Sequence, residues 1–172
     1  MGEDIRLLST VGSVYFFIRQ KNQKGEEPTV SQIGDALGLT RRTVWGFFDH
    51  TCLLIQGEYI SFEKIGRKHY HSASRNPLDI IQNADNNSPE RQFFTTEGFT
   101  LLYIIKNPGC TIKDIAEARY LTRRSVWGMV GNLRRANLIR IEKEGRTHRY
   151  FFNANQDLIS RLEEETLRAV NH

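Results

Sequence analysis

The sequence predicts a mainly α chain with small β-hairpins (α+β), built twice from one unit. Three observations lead there: an internal repeat, helical spacing of apolar residues ahead of each copy, and an alternating stretch with a central glycine after it. Residues 29–46, TVSQIGDALGLTRRTVWG, align with residues 111–128, TIKDIAEARYLTRRSVWG, at an offset of 82 with ten of eighteen positions identical. Further on, EKIGRKHY (63–70) aligns with EKEGRTHR (142–149) at an offset of 79. Two matched blocks in the same order mark a duplicated unit. The change of offset puts three extra residues into the first copy, between the blocks.

Each copy is justified element by element. Leu8, Val11, Tyr15 and Ile18 are spaced as one helix face, and Phe99, Leu102 and Ile105 repeat the pattern. Thr29 with Gln32, and Thr111 with Asp114, stand at capping-box spacing and start a second helix. Thr40 and Thr122 then cap a third, with Val44 and Phe48, or Val126, Val130 and Leu133, on its core side. YISFEKIGRKHYHS and LIRIEKEGRTHRYFF alternate apolar and polar residues around Gly66 and Gly145, as hairpins do. The expected domains are 1–75 and 96–153. Residues 76–95 form a linker with a short helix opening at Asn76–Pro77, and 154–172 a C-terminal amphipathic helix.

Composition bounds the function. The chain has 172 residues, 39% hydrophobic and 26% charged, which suits a core-forming chain of one ordinary or two small domains. No apolar run approaches the roughly 18 residues of a membrane span. Acids at Glu3 and Asp4 break any signal-peptide pattern, so a cytoplasmic location is expected. Cys52 and Cys110 are too few for a disulfide framework. The net charge of +4 is unevenly placed: residues 98–153 carry eleven basic and four acidic side chains, whereas 1–75 carry ten and eight. A basic block of that kind points to a polyanion partner.

The run LTRRSVWGMVGNLRRANLIRIEKEGRTHRYF, after two helices and before the chain's last helix, resembles a winged helix-turn-helix domain of the MarR/ArsR-like winged-helix superfamily. The first copy resembles it at 29–48 and at the hairpin, with a longer segment at 51–59. The resemblance implies two winged helix-turn-helix domains in tandem and a transcriptional regulator that binds double-stranded DNA. Such a chain is expected on the nucleoid. In copy two Tyr120 stands where Gly38 closes the turn of copy one, and Asn137 where a glycine commonly ends the recognition helix.

Residue chemistry agrees with that partner. Arg41 and Arg42, and Arg123 and Arg124, follow the capping threonines Thr40 and Thr122. Basic residues there oppose the helix dipole, so helix stability alone does not account for them. A guanidinium reaches phosphate or the guanine edge, and Thr43 and Ser125 add hydroxyls. Trp45 and Trp127 lie beside the core stripe, where the ring either faces DNA or packs on its own hairpin. The hairpins offer Arg67, Lys68 and His69, and Arg146, His148 and Arg149, for flanking phosphates or the minor groove.

Other chemistry is not expected. His50, Cys52, His69 and His71 have metal-ligand types, but His69 recurs as His148 while Cys52 has no counterpart, so no metal site and no cofactor are expected. Cys110 follows a Pro-Gly turn, where exposure is expected, but its nearest basic neighbour in sequence is Lys113. No phosphate-cradling loop or nucleophile–base set stands out, so no enzyme is expected. The competing class is a tandem winged-helix protein-interaction scaffold of the chromosome-segregation type, which needs neither the Arg pairs nor basic hairpins. RNA ranks lower, for want of an aromatic sheet motif. Leu158, Ile159 and Leu162 line one face of the last helix, which packs on its own domain or forms a homodimer.

Overall fold

The computed structural model describes residues 5–49 and 52–169; Glu3, Asp4 and His50, noted above, lie outside the described residues. Contacts divide the chain into two units. One gathers the chain up to Leu7 with Phe94–Asp157, the other Leu8–Phe93 with the chain from Leu158 on. Among the described residues no helix is long and apolar enough to cross a membrane.

In the Leu8–Phe93 unit, Ser9 caps α1 (Thr10–Gln23) by accepting from the Gly12 amide at 3.2 Å. One buried stripe was expected, yet Val14, Tyr15, Phe16 and Ile18 are all fully buried. The reason is that the following helix α2 (Val30–Leu37), the hairpin's second strand and the C-terminal helix all pack on α1. The capping box of α2 forms as expected, Thr29 N–H donating to Gln32 Oε1 at 2.8 Å. Gly38 ends it with φ 65°, a left-handed value that glycine takes at no steric cost. Thr40 caps α3 (Arg41–Gly46), which stops short of Phe48, and α4 (Leu53–Gln56) follows. The hairpin pairs β1 (Ile60–Ile65) with β2 (Lys68–Ala73) around Gly66. Asn76 caps α5 (Pro77–Asn83), and a 3-10 helix runs over Pro89–Phe93. Phe93 stands edge-on to Tyr15 at 5.5 Å and to Tyr59 at 4.9 Å.

In the Phe94–Asp157 unit, Thr95 caps α6 (Thr96–Lys106) and Thr111 caps α7 (Ile112–Arg119). The Thr111–Asp114 box is complete, and the Thr111 backbone N–H holds the Asp114 carboxyl below the usual carboxylate range. Tyr120, in the place of Gly38, adopts φ 52°, ψ 40°, close to the values of Gly38, and is 90% exposed. A non-glycine residue there costs about 1 kcal/mol. Thr122 caps α8 (Arg123–Arg135), whose Val126, Met129, Val130 and Leu133 are buried. Asn137 takes φ 58°, and β3 (Ile139–Glu144) pairs with β4 (Thr147–Phe152). Cys110 corrects the sequence reading: it is buried beside Tyr150, and burial pushes its thiol up to about 11.

The last helix, α9 (Leu158–Ala169), lies in the unit built from the first copy. Its Leu162 and Thr166 are buried, Gln20 Nε2 donates to the Glu163 carbonyl at 2.7 Å, and Arg19 pairs with Glu163. The centre of the apolar face, Leu162, is thus covered within the chain, while Leu158 and Ile159 are half-buried.

Candidate nucleic-acid interface

Helix α8 holds four arginines, Arg123, Arg124, Arg134 and Arg135, and no carboxylate. Its buried stripe turns the other side to solvent, leaving Arg123, Arg124, Ser125 and Trp127 exposed. Thr122 accepts from the Ser125 amide at 3.1 Å, and the two hydroxyls lie 2.8 Å apart. Cap and helix thus fix where the first two guanidiniums leave the backbone. Those charges oppose the dipole at this end, while Arg134 and Arg135 complement it at the other.

The first unit repeats this start. Thr40 accepts from the Thr43 amide at 3.1 Å, and Arg41, Arg42 and Thr43 are exposed. Arg41 Nη2 also donates to Ser31 Oγ at 3.1 Å. Trp45 stands edge-on to His69 of β2 at 5.0 Å, so this indole packs on its own hairpin while 45% exposed. Arg41, Trp45, Arg67, Lys68 and His69 wall a cleft of about 250 Å³ with the start of α2. Its lining joins cationic and aromatic side chains to the polar start of α2.

The hairpin residues divide. Arg67 and Arg146 are exposed beside the turn glycines. Arg149 is instead tied down within its unit, pairing with Glu144 and donating to the Gly109 carbonyl at 3.0 Å. The Glu144 carboxylate raises its pKa further above the ordinary range. His148 lines a second cleft, of about 470 Å³, with Arg134, Arg140 and Lys143. Arg134 and Arg135, whose positive charge the sequence already adds to the second copy, join these surfaces, and so do Ser31 and Asn132, which no sequence signal singled out.

His71 is wholly buried, its Nδ1 3.0 Å from the Pro28 carbonyl and its ring stacked on Phe48 at 4.1 Å. Burial holds its pKa below the ordinary histidine value. Among the described residues no three His, Cys, Asp or Glu side chains are grouped to hold a metal ion.

Residues 100–140 match the model of the winged helix-turn-helix DNA-binding family, a span from α6 to the start of β3. Over that segment the chain is similar to winged helix-turn-helix domains of the DNA-binding type. Two solved structures of Staphylococcus aureus MepR are similar to the chain. One is described as a transcription regulator of the multidrug efflux pump MepA, the other as a mutant bound to an oligodeoxyribonucleotide. Each is 23% identical, covers 55% of this chain and 70% of its own, and gives a TM-score of 0.36. Among curated proteins no match is found.

Proposed function

We propose that the chain is a sequence-specific regulator of transcription that binds double-stranded DNA through two winged helix-turn-helix domains, one in each unit. The observation that carries this is the threonine-capped helix start with two exposed arginines, present at both 40–43 and 122–125. In each unit that start is accompanied by an exposed arginine at a hairpin turn, Arg67 or Arg146. The helix offers guanidiniums to phosphates and guanine edges, and the hairpin arginine reaches phosphates to the side. One chain would thus present two recognition helices to two half-sites. Dimerisation through α9 is not needed, because Leu162 and Thr166 are already buried in the chain.

The test is binding of the full chain to duplex DNA over a salt series. With about 4–5 phosphate contacts per domain, log affinity should fall with log salt at a slope of roughly −7 to −9. Replacing Arg123 and Arg124 by alanine should flatten the slope by about 2. Binding absent at about 50 mM salt, or indifferent to salt, would favour a protein-interaction scaffold.

A further inference from the structure

The two tryptophans of the repeat occupy unlike settings. Trp45 packs edge-on to His69, and Phe62 also approaches that imidazole at 5.5 Å. Trp127 forms no such ring contact among the described residues and is 69% exposed. Beside it runs a groove of about 490 Å³ along α8, lined by Trp127, Gly128, Gly131, Asn132, Arg134 and Arg135. A Cβ at Gly128 would meet nothing within 4 Å. The Trp127 indole is therefore free to meet a ligand, where its counterpart Trp45 is engaged with its own hairpin. Four arginines and no carboxylate surround it on the same helix, so the groove is complementary to a polyanion.

Resting on the DNA-binding function proposed above, we infer that Trp127 is a specificity-determining residue that packs on the 5-methyl group of a thymine in the major groove, whereas Trp45 braces its hairpin. The major-groove edge of thymine carries a methyl group beside an acceptor oxygen, so an apolar ring next to cationic donors fits it. The open surface at Gly128 lets the helix backbone approach that edge. Asn132, on the same groove, accepts from Arg135 Nη2 through Oδ1 at 2.5 Å and offers its Nδ2 to an acceptor on a neighbouring base. The six-residue α3 ends at Gly46, directly after Trp45, and does not continue such a groove.

The experiment uses the full chain. Sequences are selected from random duplexes with wild type, and affinities are then measured for the selected and a scrambled duplex. Trp127→Ala should weaken the selected duplex by about ten-fold or more and the scrambled one by less than about three-fold. Because the ring is exposed, the thermal midpoint should hold. Replacing one thymine by deoxyuridine removes a single methyl and should cost wild type about four-fold at one position, and the Trp127→Ala protein nothing. Trp45→Ala should retain the deoxyuridine penalty. Equal losses on both duplexes, or a deoxyuridine penalty unchanged in Trp127→Ala, overturns the assignment while leaving DNA binding intact. Wild type that binds without sequence preference overturns it too. Wild type that binds no duplex overturns the proposed function and this assignment together.

Discussion

Glu58 and Asn137 hold the same left-handed backbone, at φ 55° and 58°. Each closes a helix in the same way: Tyr59 N–H donates to the Leu54 carbonyl at 3.0 Å, and Leu138 N–H to the Leu133 carbonyl at 3.0 Å. These pairs stand at the hairpin offset of 79, so the three extra residues of the first copy lie upstream. They fall between the end of α3 at Gly46 and the start of α4 at Leu53, where α8 is one continuous helix.

Relief of that backbone at Glu58 and Tyr120 should stabilise the chain. Glutamate and tyrosine both resist positive φ, whereas asparagine and glycine tolerate it. Glu58→Asn and Tyr120→Gly should each gain about 0.5–1 kcal/mol, read as a thermal midpoint higher by a few degrees. A midpoint that falls in either variant would show that the side chain makes a compensating contact.

Two glycine substitutions should act in opposite directions. A Cβ at Gly98 would lie 2.0 Å from the Leu7 carbonyl oxygen, which also accepts from Thr95 N–H at 2.8 Å. Backbone must then move, so Gly98→Ala should cost about 2 kcal/mol or more. Gly128 sits inside α8 with open space around it, and Gly128→Ala should gain up to about 1 kcal/mol. Denaturant midpoints decide it, and a loss at Gly128 would contradict the open geometry.

Local signals were legible in the sequence and long-range ones were not. Both capping boxes, the threonine caps of α3 and α8, and the turn glycines follow from spacing within a few residues. The shortness of α3 was harder to see, because Val44 and Phe48 are both buried as a longer helix would bury them. The placement of α9 was not legible. Its stripe says that something covers it, and nothing local says that the cover is α1. At the candidate site, exposure of both arginine pairs followed from the repeat. The capture of Arg149 by Glu144 and Gly109 did not, because it depends on a carbonyl forty residues away.

His71 makes stability depend on pH. Burial first, and the nearby His69 charge as well, hold its pKa below the ordinary 6.5. The unfolded chain therefore takes up the proton at a higher pH than the folded one. Stability should be constant above about pH 7 and fall as pH drops through 6.5, by no more than about 1.4 kcal/mol per pH unit for one proton. His71→Phe keeps a ring against Phe48 and should remove that slope, though not the smaller effects of carboxylates below pH 5. Equal slopes between pH 7 and 5 in wild type and variant would place the titrating group elsewhere.

Leu162 should be a stability residue rather than an assembly residue. It is 1% exposed, and α9 packs on α1 and α2 beside the Arg19–Glu163 pair. Truncation to alanine removes a buried aliphatic group and leaves a cavity, so Leu162→Ala should cost about 2–4 kcal/mol. The full chain should have the molar mass of one copy in solution, because Leu162 at the centre of the apolar face of α9 is already buried within the chain. Deleting residues 155–172 should uncover α1, whose Phe16 and Ile18 have no exposure in the intact chain, and the product should unfold at lower temperature or aggregate. A full-length dimer that becomes a stable, folded monomer on deletion would reverse the assignment, since α9 would then be holding two chains together.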